Sequence, residues 1–168
     1  MPEHKKQSEF EERVIHIDRV SRTVKGGRRI SFRALLVLGD RKGKVGFGVG
    51  KGKEVAEAIN KAKSKAKKKM IKITIKNDSI AYPIRAKYNS ANLILKPAPA
   101  GTSVIAGGAV RAVIEVAGIK NIVAKIFGSN NKINNVKATF LALRKLKATE
   151  NLLRTRFKTQ LGEKQERL

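Results

Sequence analysis

The sequence predicts an α+β protein built from two successive units. Short apolar or alternating segments, typical of β-strands, are interleaved with stretches whose apolar residues recur every three or four positions, as in helices. A chain of 168 residues is long enough for two small domains. Lysine density falls after Lys76-Asn77-Asp78, so we place the boundary there. The predicted organisation is an N-terminal extension over residues 1–12, a first unit over 13–76, a second unit over 77–148 and a tail over 149–168.

The charge predicts the kind of partner. The chain has 38 Lys and Arg against 13 Asp and Glu, a formal net charge of +25. Such an excess favours a polyanionic partner, and nucleic acid is the commonest one. An anionic membrane is the alternative, but Trp is absent, the Phe residues are scattered, and no run reaches the roughly 20 apolar residues of a membrane span. We therefore expect a nucleic-acid partner and no membrane.

The first unit begins with two strands joined by a tight turn. Residues 8–13 predict a short leading helix with Ser8 as its N-cap. The strand from Val14 to Val24 changes its apolar phase, which predicts a bulge near Asp18 or Arg19. A second strand alternates from Ile30 and becomes wholly apolar over Leu35–Leu38.

The Gly26-Gly27 pair between these strands indicates a hairpin turn. Basic residues surround this pair, so we expect them to project from the sheet at an exposed tip. They are Arg19, Arg22, Lys25, Arg28 and Arg29, followed along the second strand by Arg33.

A third strand alternates apolar residues with glycine. Val45, Phe47 and Val49 share one face, and the other face carries only glycine. Such a face indicates strong twist, close approach of another backbone, or a surface bare enough to meet a phosphate backbone. The cations around it, Lys44, Lys51 and Lys53, would suit the last of these.

A helix is predicted from Lys53 to Met70. Its apolar stripe is Val55, Ile59, Ala62, Ala66 and Met70, and Lys61, Lys65 and Lys68 form a row that we assign to the opposite side. Lysines near the end of a helix can simply be solvated and complement its dipole. Like charges four residues apart nevertheless oppose helix formation, which favours a partner that brings phosphates to the row.

The second unit continues the α+β pattern. A strand over residues 71–75 ends the first unit, and further strands are predicted over 80–88, 92–96 and 121–127, with a rigid loop from Pro97 to Gly101. One helix covers Ala109–Ala117 and ends at Gly118, and another covers Asn134–Lys147. Residues 150–168 predict a helix that docks on a partner or frays.

The sequence offers little for catalysis. The cluster from Gly46 to Lys53 fails the spacing of both the P-loop and the dinucleotide-binding fingerprint. His4 and His16 are the only histidines and Cys is absent, so we expect no metal and no cofactor. Acidic residues are sparse, and we predict a non-enzyme. The alternative is a free double-stranded-RNA-binding module or chaperone. A third hypothesis, an NTP-binding enzyme, depends on the glycine cluster that fails the spacing test, and only ATP turnover abolished by Lys51→Ala would revive it.

Several collinear motifs resemble one known family. They are Arg19-Val-Ser-Arg-Thr-Val-Lys-Gly-Gly-Arg28, Val45-Gly-Phe-Gly-Val-Gly-Lys51, Glu54-Val-Ala-Glu-Ala-Ile59, Gly101-Thr, Ala106-Gly-Gly-Ala-Val-Arg111-Ala-Val-Ile-Glu-Val-Ala-Gly118 and Phe127-Gly-Ser-Asn-Asn. The pattern is similar to that of bacterial-type small-subunit ribosomal protein five over roughly residues 13–146. The resemblance implies a first module like a double-stranded-RNA-binding domain, with a three-stranded antiparallel sheet plus a helix, and a second α+β domain with a βαβ-type core.

The resemblance also implies a function and partners. The protein would be a structural constituent of the small ribosomal subunit in the cytoplasm, bind its ribosomal RNA where head meets body near the spectinomycin site, and contribute to translational accuracy. The residues implied to hold phosphate are Arg22, Lys25, Arg28 and Arg29, with Gly26 and Gly27 shaping the tip. Ser103, which stands where the family pattern has glycine, would face ribosomal protein four together with Gly107, Gly108 and Arg111. The tail would lie towards ribosomal protein eight, and messenger RNA would enter nearby.

Overall fold

A computed structural model of the protein describes residues 10–146. Within this range the chain forms two four-stranded sheets and three helices. The predicted α+β class is confirmed.

The first sheet is antiparallel throughout. Its strands lie in the order β1 (Glu11–Val24), β2 (Gly27–Gly39), β3 (Lys44–Gly52) and β4 (Ile71–Lys72). Helix α1 (Val55–Lys68) connects β3 to β4 and packs against β2 and β3. The three predicted strands and the helix are therefore present, and a short fourth strand, β4, extends the sheet beyond β3.

Two predictions at the start of the chain are wrong. Glu11 and Glu12 belong to β1 and pair with the end of β2, so residues 11–13 are not helical, and Ser8 lies outside the described residues. The register shift in β1 falls between Val14 and His16, and not at residues 18 or 19. The residue in between, Ile15, packs against the main core, which explains why the strand changes phase there.

The second sheet contains the expected βαβ unit. Its order is β5-β6-β8-β7, where β5 is Ile84–Tyr88, β6 is Ala91–Pro97, β7 is Val104–Ile105 and β8 is Ile122–Gly128. Strands β7 and β8 are parallel neighbours joined by helix α2 (Gly108–Ala117), which ends at Gly118 in a left-handed conformation with φ of 91°. A further helix, α3, covers residues 132–146. The predicted terminal helix over 150–168 lies outside the described residues.

Strand β2 is buried on both of its faces, and its alternate residues belong to two core clusters. Leu36 and Leu38 cluster with Ala62 and Ala66 of α1, whereas Leu35 and Val37 join a larger cluster formed with the second sheet, α2 and α3. All of Leu35–Leu38 are at most 2% exposed, as the wholly apolar run predicted. The first sheet therefore packs against α1 on one side and against the second half of the chain on the other.

The β2–β3 loop fixes the first sheet to the end of α2. The amide of Arg41 donates to the Val116 carbonyl at 3.1 Å, and the amide of Gly43 donates to the Ala117 carbonyl at 3.0 Å. These bonds satisfy helix carbonyls that have no partner within the helix. The hairpin turn lies at the other end of β2 from this loop.

Candidate nucleic-acid interface

The β1–β2 hairpin projects beyond the rest of the first sheet. Strand β3 pairs with β2 only as far as Phe32, and within residues 10–146 the five residue pairs from Val20–Ser31 to Val24–Gly27 have no third strand beside them. At about 3.4 Å per residue this projection is about 17 Å long. Residues 21–30 are all exposed. The predicted exposed tip is therefore present, with Lys25 and Gly26 as its turn and Gly27, at φ of 138°, as the first residue of β2.

Cations at the tip have no acidic partner. No Asp or Glu occurs between Arg19 and Gly39 in the sequence, and within residues 10–146 none of the tip's basic residues forms an ion pair. Arg22 lies directly opposite Arg29 in the register. Like charges facing each other across two strands destabilise a hairpin. An arrangement that costs stability in the free protein suits a surface whose charges are neutralised by phosphates.

At the base of the projection the charges are paired. Arg33 donates to Asp18 Oδ2 through Nε at 3.0 Å and Nη2 at 2.8 Å, while His16 Nε2 lies 2.8 Å from Asp18 Oδ1. The hydrogen bonds from Arg33 hold the pKa of Asp18 below its ordinary value, helped by the charges of Arg33 and His16 and opposed by partial burial. Of the predicted RNA-binding residues, Arg33 is thus already engaged. Lys51, its partner in the register, is exposed beside it.

The glycine face of β3 packs against a helix. A Cβ on Gly48 would lie 2.0 Å from the Ala62 carbonyl oxygen, and one on Gly50 would lie 2.0 Å from that of Ala58. The face is therefore closed by the backbone of α1, as one of the three interpretations expected. The interpretation as a bare surface for phosphate is wrong, since no room remains between β3 and α1.

The lysine row of α1 is exposed, and one of its members contacts β3. Lys65 Nζ donates to the Val49 carbonyl of β3 at 3.1 Å. The buried side of the helix is formed by Ala58, Ala62 and Ala66. Lys61 pairs with Glu57, and this bond, with another from the Lys53 amide, holds the pKa of Glu57 below its ordinary value. Lys68 is exposed at the far end.

The remaining predicted phosphate ligands are spread along the sheet. Lys53, just before α1, is exposed at the end of β3 nearest the hairpin. Lys44 begins β3 at the opposite end, beside Lys72 of β4. Strand β3 has nine residues from Lys44 to Gly52, so its two ends are about 26 Å apart. The structure brings the hairpin cations together and leaves Lys44 well away from them.

The second predicted site lies where β7 leads into α2. Gly107 caps the helix through its carbonyl, which accepts from the Arg111 amide at 2.8 Å, and Gly108 faces open space. Arg111 donates to Glu115 Oε1 at 2.7 Å, and Arg13 of β1 pairs with the same carboxylate. Hydrogen bonds from these two arginines lower the pKa of Glu115 against the effect of its partial burial. Ser103 has φ of 64°, a conformation that favours the glycine of the family pattern.

Buried polar residues that the sequence analysis missed support this second site. Asn121 is 7% exposed, and its Oδ1 accepts from the amides of Gly101 at 3.1 Å and Ser103 at 3.2 Å. Its carbonyl accepts from the hydroxyl of Ser79 at 2.6 Å. These bonds hold the loop that precedes β7. An asparagine at the start of an apolar strand carries no signal in the sequence that distinguishes it from an ordinary turn residue.

No group of three or more His, Cys, Asp or Glu residues that could hold a metal ion occurs within residues 10–146. In the same range no helix has the length and apolar character needed to cross a bilayer.

Comparisons with known proteins agree over both halves of the chain. A family model described as "Ribosomal protein S5, N-terminal domain" matches residues 10–74, and one described as "Ribosomal protein S5, C-terminal domain" matches residues 86–156. The small ribosomal subunit protein uS5 of Hahella chejuensis (strain KCTC 2396) is 47% identical over 157 residues, which cover 94% of this chain and 94% of the relative. The resemblance drawn from the motifs is therefore confirmed.

Proposed function

Because this chain belongs to the ribosomal protein S5 family, we propose that it braces the small ribosomal subunit by binding ribosomal RNA through its projecting hairpin. Membership in this family makes it a ribosomal protein of the small subunit with a structural role, and not an enzyme. The proposal concerns how the chain performs that role. Its main support is the projecting end of the hairpin, which carries cations and has no acidic residue between Arg19 and Gly39.

The chemistry of the hairpin suits structured RNA. Paired RNA is recognised through its shape, phosphates and 2′-hydroxyls, because its bases are not accessible to side chains. Arg22, Arg28, Arg29 and Lys25 supply charge and hydrogen-bond donors at an exposed edge, and no aromatic residue lies among them to stack on a base. Arginine's planar group suits contacts with phosphate oxygens. Lys51, Lys53 and the lysines of α1 would extend the same contact along the first sheet.

The finer parts of the proposal concern position in the subunit. The hairpin would stabilise the head of the subunit against its body near the spectinomycin site. Ser103, Gly107, Gly108 and Arg111 would face ribosomal protein four, where a looser contact would alter decoding accuracy. The tail would lie towards ribosomal protein eight, and messenger RNA would enter nearby. The protein would act in the cytoplasm as part of the ribosome.

Sucrose-gradient sedimentation of a cell lysate tests the role in the subunit. We expect stoichiometric migration with small subunits that survives a high-salt wash, because an integral protein is held by many contacts at once. Migration only in the light fractions, or loss at moderate salt, would contradict the proposal and favour a free RNA-binding module.

Binding of the purified protein to naked small-subunit ribosomal RNA tests the mechanism. If about six to ten phosphates are neutralised, affinity should fall by roughly 10³- to 10⁵-fold between 50 and 200 mM salt, with duplex DNA as the guide. An affinity that does not change with salt would rule out phosphate contacts as the source of binding.

A further inference from the structure

In the described part of the chain, the second sheet has one face that the core does not cover, here called the open face. Along β5, β6 and β8 the residues alternate, and every second one points away from the core. The register aligns these outward residues in three rows across the sheet. The rows are Lys87-Asn92-Phe127, Arg85-Ile94-Lys125 and Lys96-Val123-Ile105.

Apolar side chains on the open face form a stripe. Phe127 is 45% exposed and Ile105 is 54% exposed, whereas Leu93 and Leu95 on the other face of the sheet are at most 1% exposed. Ile94 lies diagonally between Phe127 and Val123, and Ile105 continues the stripe onto β7. Single exposed apolar residues are common on proteins, but a continuous stripe that includes an exposed aromatic ring indicates a contact surface.

The stripe is bordered by positive charge. Arg85, Lys87, Lys96 and Lys125 are all exposed, and none of them forms an ion pair among residues 10–146. The one acidic residue in the sequence between Ser79 and Leu146 is Glu115, which lies on α2 and is bound by Arg13 and Arg111. Among residues 10–146, the open face therefore attracts an anion without a carboxylate on the same face to compete for it.

We propose that the open face binds unpaired RNA, with a base stacked on Phe127 and the backbone held by the four surrounding cations. This rests on the proposed function, but it uses a different surface and a different form of RNA from the hairpin. An exposed ring beside cations suits a base that is free to stack, and a duplex keeps its bases inside. Four-stranded sheets with exposed aromatics are an established way to bind single strands, because every base has a face that can stack.

The test is a binding titration of the full-length protein. The probes are a fluorescein-labelled, unstructured single-stranded RNA of about 12 nucleotides, within the usual site size of such surfaces, and a duplex of the same length. We expect Phe127→Ala to weaken single-strand binding by roughly 5- to 100-fold, the range for loss of one base–aromatic stack, and to leave duplex binding unchanged. Phe127→Tyr should retain binding, because tyrosine also stacks.

Two controls distinguish the loss of a base stack on Phe127 from a general loss of folding and from the loss of contacts made by the hairpin. Val14→Ala truncates another exposed apolar residue, 41% exposed on β1, and should leave single-strand binding unchanged. Arg22→Gln with Arg29→Gln should weaken duplex binding and preserve the effect of Phe127→Ala on the single strand. If the double hairpin variant binds duplex as tightly as the wild type while Phe127→Ala still loses single-strand binding, the proposed function of the hairpin is wrong and the proposal for the open face is supported.

Three results would overturn the assignment of the open face. One is unchanged single-strand affinity in Phe127→Ala, and another is an equal loss on single strand and duplex. The third is tighter binding of polyglutamate than of the single strand, lost in Phe127→Ala, since that would make the open face a site for an acidic protein segment.

Discussion

The two ends of the β1–β2 hairpin are built on opposite principles. At the base, Leu35–Leu38 are buried and the cations nearby are matched by carboxylates, as in the Arg33–Asp18 pair. At the tip, residues 21–30 are exposed and like charges face each other. One pair of strands therefore anchors the fold at one end and exposes unneutralised charge at the other. Stability and binding are separated along the strands, and substitutions at the two ends should have different effects.

The glycines should differ most strongly. We expect Gly48→Ala to destabilise the protein by about 3 kcal/mol, because its Cβ would lie 2.0 Å from the Ala62 carbonyl oxygen and neither backbone can withdraw without unpacking α1. Gly26→Ala, the matched control at the tip, meets nothing within 4 Å and should change stability by less than about 0.5 kcal/mol. Urea denaturation measures both. Equal effects would mean that the tip is as tightly packed as the base.

Arginine substitutions should affect RNA affinity more at the tip of the hairpin than at its base. Arg22→Gln combined with Arg29→Gln should weaken binding to small-subunit ribosomal RNA about tenfold and reduce the slope of log affinity against log salt by about 2, since two phosphate contacts are lost. Stability should rise slightly as the facing charges are removed. Arg41→Gln at the base, where Arg41 pairs with Glu11, is the control and should leave RNA affinity unchanged. A larger loss of affinity from Arg41→Gln would reverse the comparison.

Low pH should weaken the ion pairs at the base of the hairpin, whereas the tip has no carboxylate to protonate. Arg33 lowers the pKa of Asp18 and Arg111 and Arg13 lower that of Glu115, from ordinary values of 3.8 and 4.5. A lowered pKa in the folded state adds stability above the ordinary value, and that stability is lost as the pH falls through the lowered value. The urea concentration at the midpoint of unfolding should therefore decrease when the pH is lowered below about 4.5. Glu115→Gln should lower stability at neutral pH by about 1 kcal/mol and make this drop shallower. A drop as steep as in the wild type would show that Glu115 does not contribute.

The smallest expected change in stability is at Ser103, where it tests for backbone strain. Ser103 has φ of 64°, where a side chain is disfavoured, but the loop around it is exposed. Ser103→Gly should stabilise the protein by about 0.5 kcal/mol, as relief of strain slightly exceeds the entropy that glycine loses. Thermal melting measures this change, and Gly101→Ser, at φ of 91° in the same loop, should have the opposite sign. Destabilisation by Ser103→Gly would mean that the serine side chain contributes a contact that offsets the strain.

Much of the fold could be predicted from neighbouring residues in the sequence. The hairpin tip, the buried run Leu35–Leu38, the end of α2 at Gly118 and the βαβ unit each depend on turn chemistry or periodicity within a few residues. The missing cation partners at the tip could also be foreseen, because the sequence has no acidic residue there. What lies within one or two turns of chain is constrained by local backbone preferences and by which side chains avoid water.

The tertiary structure decided everything that depends on distant parts of the chain. The glycine face of β3 packs against α1 and not against a phosphate, and Lys65 bonds to the backbone of β3. The bulge in β1 lies at Ile15, which packs against the core. Arg13 and Glu115 are 102 positions apart and still pair. The open face exists because strands remote in sequence align their outward residues. The sequence alone determined where charge and apolar residues are concentrated, and packing determined which of them remain free, because a contact depends on both partners and their separation in space.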